Sequence, residues 1–367
     1  MVVSLSLALL IMQQPTRISL PNLALWKWAS IVLLVYVFIA GWLVPLKPGI
    51  IRVAPERAIA GENLVLDITG YNSSYSLDPS TLRIWLSLSG DTVLQAKQVK
   101  TLDDRHLQAS FYIPSVFPQR QDAYPLALVI DHSVDGSSVL PNAVFVTPSS
   151  TQDTAEMALW FKDKITQIHQ QAGVQYPFRN ILAETIRNTY FHVPMWFSMI
   201  ILFGVSAWYS LRYYRYGEMN DDLKSVAHIQ VGLVFGCLGL ITGMLWAKNT
   251  WNAYWSWDVK QNMSAISLLI YAALMVMRSS IEDDMQRARL SAGYNMFAFT
   301  LLIPLLFIIP RMTDSLHPGN GGNPAMGGED LDNTMRMVFY PAVLGFILLG
   351  LWISQLVYRT DKLKGNL

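Results

Sequence analysis

The chain of 367 residues is apolar and nearly uncharged: 52% of its residues are hydrophobic, 14% are charged, and its net charge is +1. Because a soluble domain carries about a quarter charged residues, this composition indicates contact with a lipid bilayer and argues against a nucleic-acid partner. The single cysteine, Cys237, excludes an internal disulfide, a CxxC redox pair and a thiolate metal cluster. Any chemistry must therefore use histidine, carboxylate or aromatic groups.

Six apolar stretches are long enough, or nearly so, to cross a bilayer, which takes about 20 residues. They cover residues 28–46, 195–211, 229–247, 263–277, 294–310 and 338–358, and none contains Asp, Glu, Lys or Arg. The pattern predicts a polytopic α-helical membrane protein with six transmembrane helices. An ion-coupled transporter normally keeps charge at mid-membrane, so the uncharged spans count against a pump.

Basic residues flank the spans unevenly, and this bias predicts the orientation of the chain. They precede the first span and follow the second, fourth and sixth: Arg17, Lys27, Arg212, Arg215, Lys224, Arg278, Arg287, Arg289, Arg359, Lys362 and Lys364. We expect these segments to be cytoplasmic, which makes 1–27 a cytoplasmic N-terminal segment and 359–367 a cytoplasmic tail. Three longer or unusual segments then face outside: the insertion after the first span and the connections after the third and fifth.

The insertion at 47–150 has a different character from the spans. Apolar residues alternate with polar ones at period two, as in Leu64, Leu66 and Ile68, and Gly or Pro separates the runs. Such short alternating runs predict an extracytoplasmic β-sandwich-like domain. It carries no catalytic constellation, so we interpret it as a docking or spacer module.

Beyond the insertion, the period of the apolar residues changes. At 151–175, Met157, Trp160, Phe161 and Ile165 recur at helical spacing opposite charged residues. This predicts an amphipathic helix leading back to the bilayer surface. The remaining stretch, 176–358, is predicted to be a five-helix membrane domain.

A crowd of aromatic residues follows the third span. The stretch 246–260, predicted as a loop, contains Trp246, Lys248, Trp251, Tyr254, Trp255, Trp257, Asp258 and Lys260. An interfacial aromatic belt accounts for one or two rings, but not for four Trp beside a carboxylate and two lysines. Such crowding suits a flat apolar ligand with a polar edge: rings stack on its faces, while Lys248 and Lys260 meet peripheral carboxylates.

Two histidines lie on the same predicted face as this loop. His192 precedes the second span and His317 follows the fifth. A lone interfacial histidine is usually a wetted polar residue, but imidazole is also a common axial ligand of haem iron. Two from separate segments could grip opposite faces of one porphyrin. The glycine-rich stretch 319–328 beyond His317 is expected to be mobile, as the admission of a large planar ligand requires.

The stretches 187–196 and 242–260 resemble the tryptophan-rich signature of the haem-handling protein family. This family includes the haem-handling protein C of cytochrome c maturation, which the chain resembles most closely, and the membrane subunit of the cytochrome c synthase. The resemblance covers spans two to six. It implies that His192 and His317 are axial ligands of the haem iron and that Trp251, Trp255, Trp257 and Asp258 form the haem-binding loop.

The resemblance also implies a function and a location. Haem b is then a transient cargo, held on the periplasmic side of the cytoplasmic (inner) membrane, and protein C has no catalytic reaction of its own. Its implied partners are a membrane-anchored haem chaperone and the ABC transporter subunits of the maturation system. Two other functions stay open: a cytochrome c synthase that attaches haem to apocytochrome c, and a membrane permease.

The sequence departs from the family pattern at several positions. Asn252 stands where the family usually has Gly, and Lys260 where protein C tends to have Arg. Gln261, Asn262 and Met263 replace its usual continuation, and the large β insertion is not part of the usual protein C. These differences leave the subfamily open.

Overall fold

The computed structural model describes residues 24–90, 92–119, 121–149, 153–171, 173–317 and 331–364. Most of the predicted cytoplasmic segment 1–27 and all of the glycine-rich stretch 319–328 lie outside these residues, so the expectations for them stay predictions. Within the described residues the chain forms a helical bundle with a β domain inserted after its first helix.

The bundle contains six helices that are long and apolar enough to cross a membrane, which confirms the predicted number of spans within the described residues. They are α1 (Leu25–Leu43), α2 (Thr189–Tyr216), α3 (Met219–Trp251), α4 (Val259–Ser279), α5 (Asp284–Ile303) and α6 (Asn333–Lys364). Helix α2 packs against α3, α5 and α6, while α1 packs against α6. The bundle core includes Met199, Leu202, Phe203, Phe235, Tyr271 and Phe346.

A stripe of glycines on α3 lets α2 approach closely. Four glycines recur three or four residues apart, and a Cβ atom on any of them would collide with a large side chain of α2. The pairs are Gly232 with Phe203, Gly236 with Met199, Gly239 with Trp196, and Gly243 with His192. Small residues at helix interfaces allow such contact between membrane helices. The stripe therefore seats the side chains of α2, including His192, against the backbone of α3.

The insertion is a β domain with two sheets. Its strands are β1 (Gly49–Ala54), β2 (Arg57–Ile59), β3 (Asn63–Tyr71), β4 (Arg83–Ser89), β5 (Thr92–Gln95), β6 (Gln98–Thr101), β7 (His106–Tyr112), β8 (Tyr124–His132) and β9 (Gly136–Thr147). The sheet orders are β1-β3-β7-β6 and β2-β9-β8-β4-β5. Alternate residues of both sheets, such as Leu66, Ile84, Leu107 and Leu128, are buried in one shared cluster. The alternation in the sequence thus identifies the buried face of strands such as β3 and β7.

The prediction of an amphipathic helix over 151–175 is wrong. The structure has a short 3-10 helix at Thr154–Phe161, and the described residues that follow it up to 175 form no further helix. Trp160 is fully buried in the core of the β domain, where its Nε1 donates to the Val116 carbonyl at 2.8 Å. Ile165 packs on a separate cluster around Trp85. Trp160 and Ile165 therefore pack on two different parts of the β domain. Their spacing in the sequence does not specify which surface each of them contacts.

We expect Trp160→Ala to destabilise the β domain by about 3–5 kcal/mol, the usual effect of emptying a buried aromatic site. Phe161→Ala is the matched control, because Phe161 is the next residue in the chain and its ring is exposed. Thermal unfolding of the full chain in detergent, followed by near-UV circular dichroism, measures both variants. Equal shifts in the two would show that Trp160 contributes no packing of its own.

Polar contacts fix the β domain to one end of the bundle. The Tyr71 hydroxyl donates to Glu184, which also accepts from Arg187 Nε at 2.6 Å. Arg187 Nη1 donates to the carbonyls of Gly41 and Val44 at 2.9 and 2.7 Å. The last strand residue of β3, the end of α1 and the approach to α2 are thereby joined. The β domain consequently lies at the end of the bundle where α2 begins.

Candidate functional site

A cavity opens at this same end of the bundle, where α2 and α4 begin and α3 and α5 end. Its empty volume, counted out to its open mouth, is about 910 Å³. The walls are mostly apolar, and include Trp196, Phe197, Leu240, Met244, Leu306 and Phe307. A π-helical turn, Pro304–Ile308, follows α5 and contributes the last two of these. Both His192 and His317 line the cavity.

His192 lies in the first turn of α2 and is held against α3. Its Nδ1 is 3.0 Å from the Gly239 carbonyl and 3.1 Å from Thr242 Oγ1. The carbonyl can only accept, so the ring donates from Nδ1. Nε2 then carries the lone pair with which a neutral imidazole binds a metal.

His317 is held in the same tautomer by a carboxylate. Its Nδ1 lies 2.8 Å from Asp258 Oδ1. Asp258 also accepts from Leu316 N at 2.7 Å and from Ser315 Oγ at 3.1 Å. It caps the N-terminus of α4 as well, accepting from Lys260 N at 2.9 Å. Asp258 therefore fixes both the ring of His317 and the backbone beside it.

The electrostatics favour a neutral imidazole facing an ionised carboxylate. Burial lowers the pKa of His317, against the opposing charge of Asp258. Burial alone would raise the pKa of Asp258, but its hydrogen bonds, led by that from Leu316 N, hold the pKa below its usual value. Among the described residues, no hydrogen-bond partner is recorded for Nε2 of either histidine. Both rings can thus offer Nε2 to iron.

Three of the predicted aromatic and basic residues lie at the site. Trp255 and Lys260 line the cavity. Trp251 packs edge-on against His317, with ring centroids 4.8 Å apart. Trp246, one of the four Trp of this stretch but not among the predicted haem-binding residues, has its ring 6.3 Å from that of His192 and 6.1 Å from that of His317. Rings from α3 and from the following loop therefore surround the two histidines.

Three other predicted residues lie outside this group. Trp257 is 78% exposed and Tyr254 is 52% exposed. Lys248 Nζ donates to the carbonyl and the side-chain oxygen of Asn252, both at 3.1 Å, and so caps the end of α3. Asp258, by contrast, contacts His317 directly and orients its ring. The roles of Trp257, Tyr254 and Lys248 in ligand binding stay predictions.

The sequence predicted a loop over the whole stretch 246–260, but the structure shows that only part of it is a loop. Helix α3 continues to Trp251, because nothing before Asn252 breaks it, and Val259 begins α4. Asn252 has a φ of +58°, a left-handed conformation. Apart from Gly, Asn is among the residues that tolerate this conformation best. Trp257 also has a φ of +58°. For a bulky residue this stores strain of about 1–3 kcal/mol.

Side chains of α4 hold this strained loop in place. Gln261 Oε1 accepts from Ser256 N at 2.9 Å and from Ser256 Oγ at 3.0 Å. Asn262 Nδ2 donates to the Trp257 carbonyl at 2.8 Å. Two of the positions that depart from the family pattern therefore support the loop itself.

Fold and site together define a multi-pass membrane protein with a tryptophan-lined, two-histidine cavity at one end of its helix bundle. The family profile for Heme exporter protein C (CcmC) matches residues 152–366, more than half of the chain. The chain belongs to this family, as its tryptophan-rich signature predicted. Family membership supports a haem-handling role in cytochrome c biogenesis. The β insertion precedes the matched region.

Individual relatives agree with this assignment. Heme exporter protein C of Bradyrhizobium diazoefficiens is 27% identical over 185 residues, which cover 49% of this chain and 68% of that protein. The protein of the same name from Haemophilus influenzae is 22% identical over 180 residues, covering 49% and 72%. A shorter match, 49% identical over 59 residues, is to cytochrome c biogenesis protein CcsA of Prochlorococcus marinus strain MIT 9515. It covers 16% of this chain and 19% of that protein.

Proposed function

We propose that the protein binds haem b as a transient cargo between His192 and His317 and delivers it to a membrane-anchored haem chaperone during cytochrome c maturation. The observation that carries the proposal is the pair of imidazoles lining one apolar cavity, each with Nδ1 bonded to the protein and Nε2 left for iron. In this function the protein catalyses no reaction of its own. It captures, orients and releases.

The chain's own groups suit each of these tasks. Trp255 and the apolar walls exclude water and stack on a flat ring system. Lys260 lines the cavity near His317, where its charge can meet a propionate carboxylate. Two imidazoles supplied by different segments, a helix and a loop, let the protein release haem by moving one ligand away from the other.

The proposed partners follow from the family and from the outside-facing orientation. We place the site on the periplasmic side of the inner membrane, with both termini in the cytoplasm, the ABC transporter subunits beside the bundle and the bilayer around it. The insertion, in this proposal a sandwich-like module, lies at the end of the bundle that holds the cavity. We propose that this module docks the partner protein that receives haem.

The orientation predicts how single cysteines react in a Cys237→Ala background. Leu102→Cys in the β domain and Glu282→Cys between α4 and α5 are both at exposed positions. With a membrane-impermeant thiol reagent on spheroplasts, we expect Leu102→Cys to be labelled at once and Glu282→Cys only after permeabilisation. The reverse pattern would place the haem site in the cytoplasm and contradict delivery outside.

Cytochrome c synthase is the second candidate, favoured by the local match to CcsA. Co-expression with an apocytochrome carrying a CxxCH motif, and with no other maturation factor, separates the two functions. Our proposal predicts that the apocytochrome stays without haem, while haem still copurifies with the membrane protein. Covalently attached haem in this experiment would show that the protein is an enzyme.

A further inference from the structure

The two histidines differ in the groups that accept their Nδ1 protons. His317 donates to an ionised carboxylate, Asp258 Oδ1, at 2.8 Å. His192 donates to a neutral carbonyl, Gly239 O, at 3.0 Å, and its Nδ1 also lies 3.1 Å from the neutral hydroxyl oxygen of Thr242. The two ligands are alike in the sequence but have unequal electrostatic support.

This difference changes how strongly each ring binds iron. A charge-assisted hydrogen bond is about twice as strong as a neutral one. A carboxylate behind a ligating histidine also raises the basicity of the ligand and fixes its orientation. The Gly239 carbonyl raises the basicity of His192 less, because it carries no charge. His317 is therefore the stronger electron donor of the pair.

The positions of the two residues point the same way. His192 lies in the first turn of α2 and packs closely against Gly243 of α3. His317 lies beyond the last turn of α5, in a segment that Asp258 ties down through Ser315 and Leu316. Haem that keeps His317 stays on the segment that follows α5, whereas haem that keeps His192 stays on a helix of the bundle.

We propose that His317 is the retained axial ligand, that His192 gives way first when a competing ligand arrives, and that Asp258 is the positioning residue that sets this order. The inference rests on the proposed haem-binding function. In it, haem leaves α2 before it leaves the protein, and an incoming ligand takes the coordination position that His192 vacates.

Carbon monoxide tests the order in the full-length protein. It binds ferrous haem in place of the weaker ligand, and its C–O stretching frequency reports electron donation from the ligand that remains opposite. We expect the carbonyl adduct of His192→Gly to match that of the wild type, because His317 is retained in both. The adduct of His317→Gly should differ. A match between His317→Gly and the wild type would overturn the proposal.

A second pair of variants tests the role of Asp258. Asp258→Asn removes the charge behind His317, so we expect the C–O stretch to move to higher wavenumber as less electron density reaches the iron. Thr242→Val alters only the surroundings of His192 and should leave the stretch unchanged. A shift in Thr242→Val, or none in Asp258→Asn, would overturn the assignment. A colourless wild-type protein would instead overturn the proposed function, and the inference with it.

Discussion

His192→Ala and His317→Ala each abolish the six-coordinate, bis-histidine haem spectrum that we expect from the wild-type protein purified in detergent. Either substitution leaves iron with one protein ligand on one face of the ring. Loss of a residue that merely supports a metal ligand typically lowers affinity by about 10–100-fold, and loss of the ligand itself should cost at least as much. The visible spectrum and the haem-to-protein ratio, measured after identical purification, provide the readout.

A third histidine supplies the control for this experiment. His228 lies near the start of α3, at the opposite end of the bundle from the cavity, and its Nδ1 donates to the Lys224 carbonyl at 2.7 Å. His228→Ala should therefore keep the wild-type spectrum. If the spectrum survives substitution of both cavity histidines singly, or if the wild type is colourless, then the tryptophan-rich stretch is a membrane anchor and the function lies elsewhere.

The six spans could be predicted because the thickness of a bilayer imposes a length and a composition on each helix. The β strands could be predicted because alternation follows from the geometry of a strand. The prediction of a helix over 151–175 failed because no such geometric constraint acts on this segment. Trp160 and Ile165 are spaced as on one helical face, but each packs on a different part of the β domain. Phe161, at the same spacing, is exposed. Spacing alone therefore does not specify whether an apolar residue is buried or what covers it.

The site shows the same limit at the level of single residues. His192 and His317 could be brought together from the sequence, since topology puts both on one face of the membrane. The contact between His317 and Asp258 joins residues 59 positions apart, and no local pattern predicts it. The resemblance assigned Asp258 to the haem-binding loop, and the structure shows it hydrogen-bonded to His317, one of the two proposed ligands. The packing of His192 against Gly243 could not be predicted either, because it depends on how α2 packs on α3.

The packing of His192 against Gly243 leads to a second prediction with a large effect, for Gly243→Ala. A Cβ atom at residue 243 would lie 2.7 Å from His192 Cε1 and 3.3 Å from His192 Nδ1. These distances are too short for van der Waals contact, so the imidazole must move away from α3 and lose its hydrogen bond to Gly239. We expect haem occupancy to fall by about tenfold or more, as for loss of other groups that hold a metal ligand.

A loss of haem in Gly243→Ala would not come from a weaker helix, because Ala favours a helix interior over Gly by about 1 kcal/mol. Gly293→Ala in α5 is the matched control: its Cβ would meet no atom within 4 Å, so haem occupancy should equal that of the wild type. The ratio of Soret to protein absorbance compares the two variants. Wild-type occupancy in Gly243→Ala would mean that haem binds without His192 in its seat, and the ligand on α2 would have to be sought at another residue.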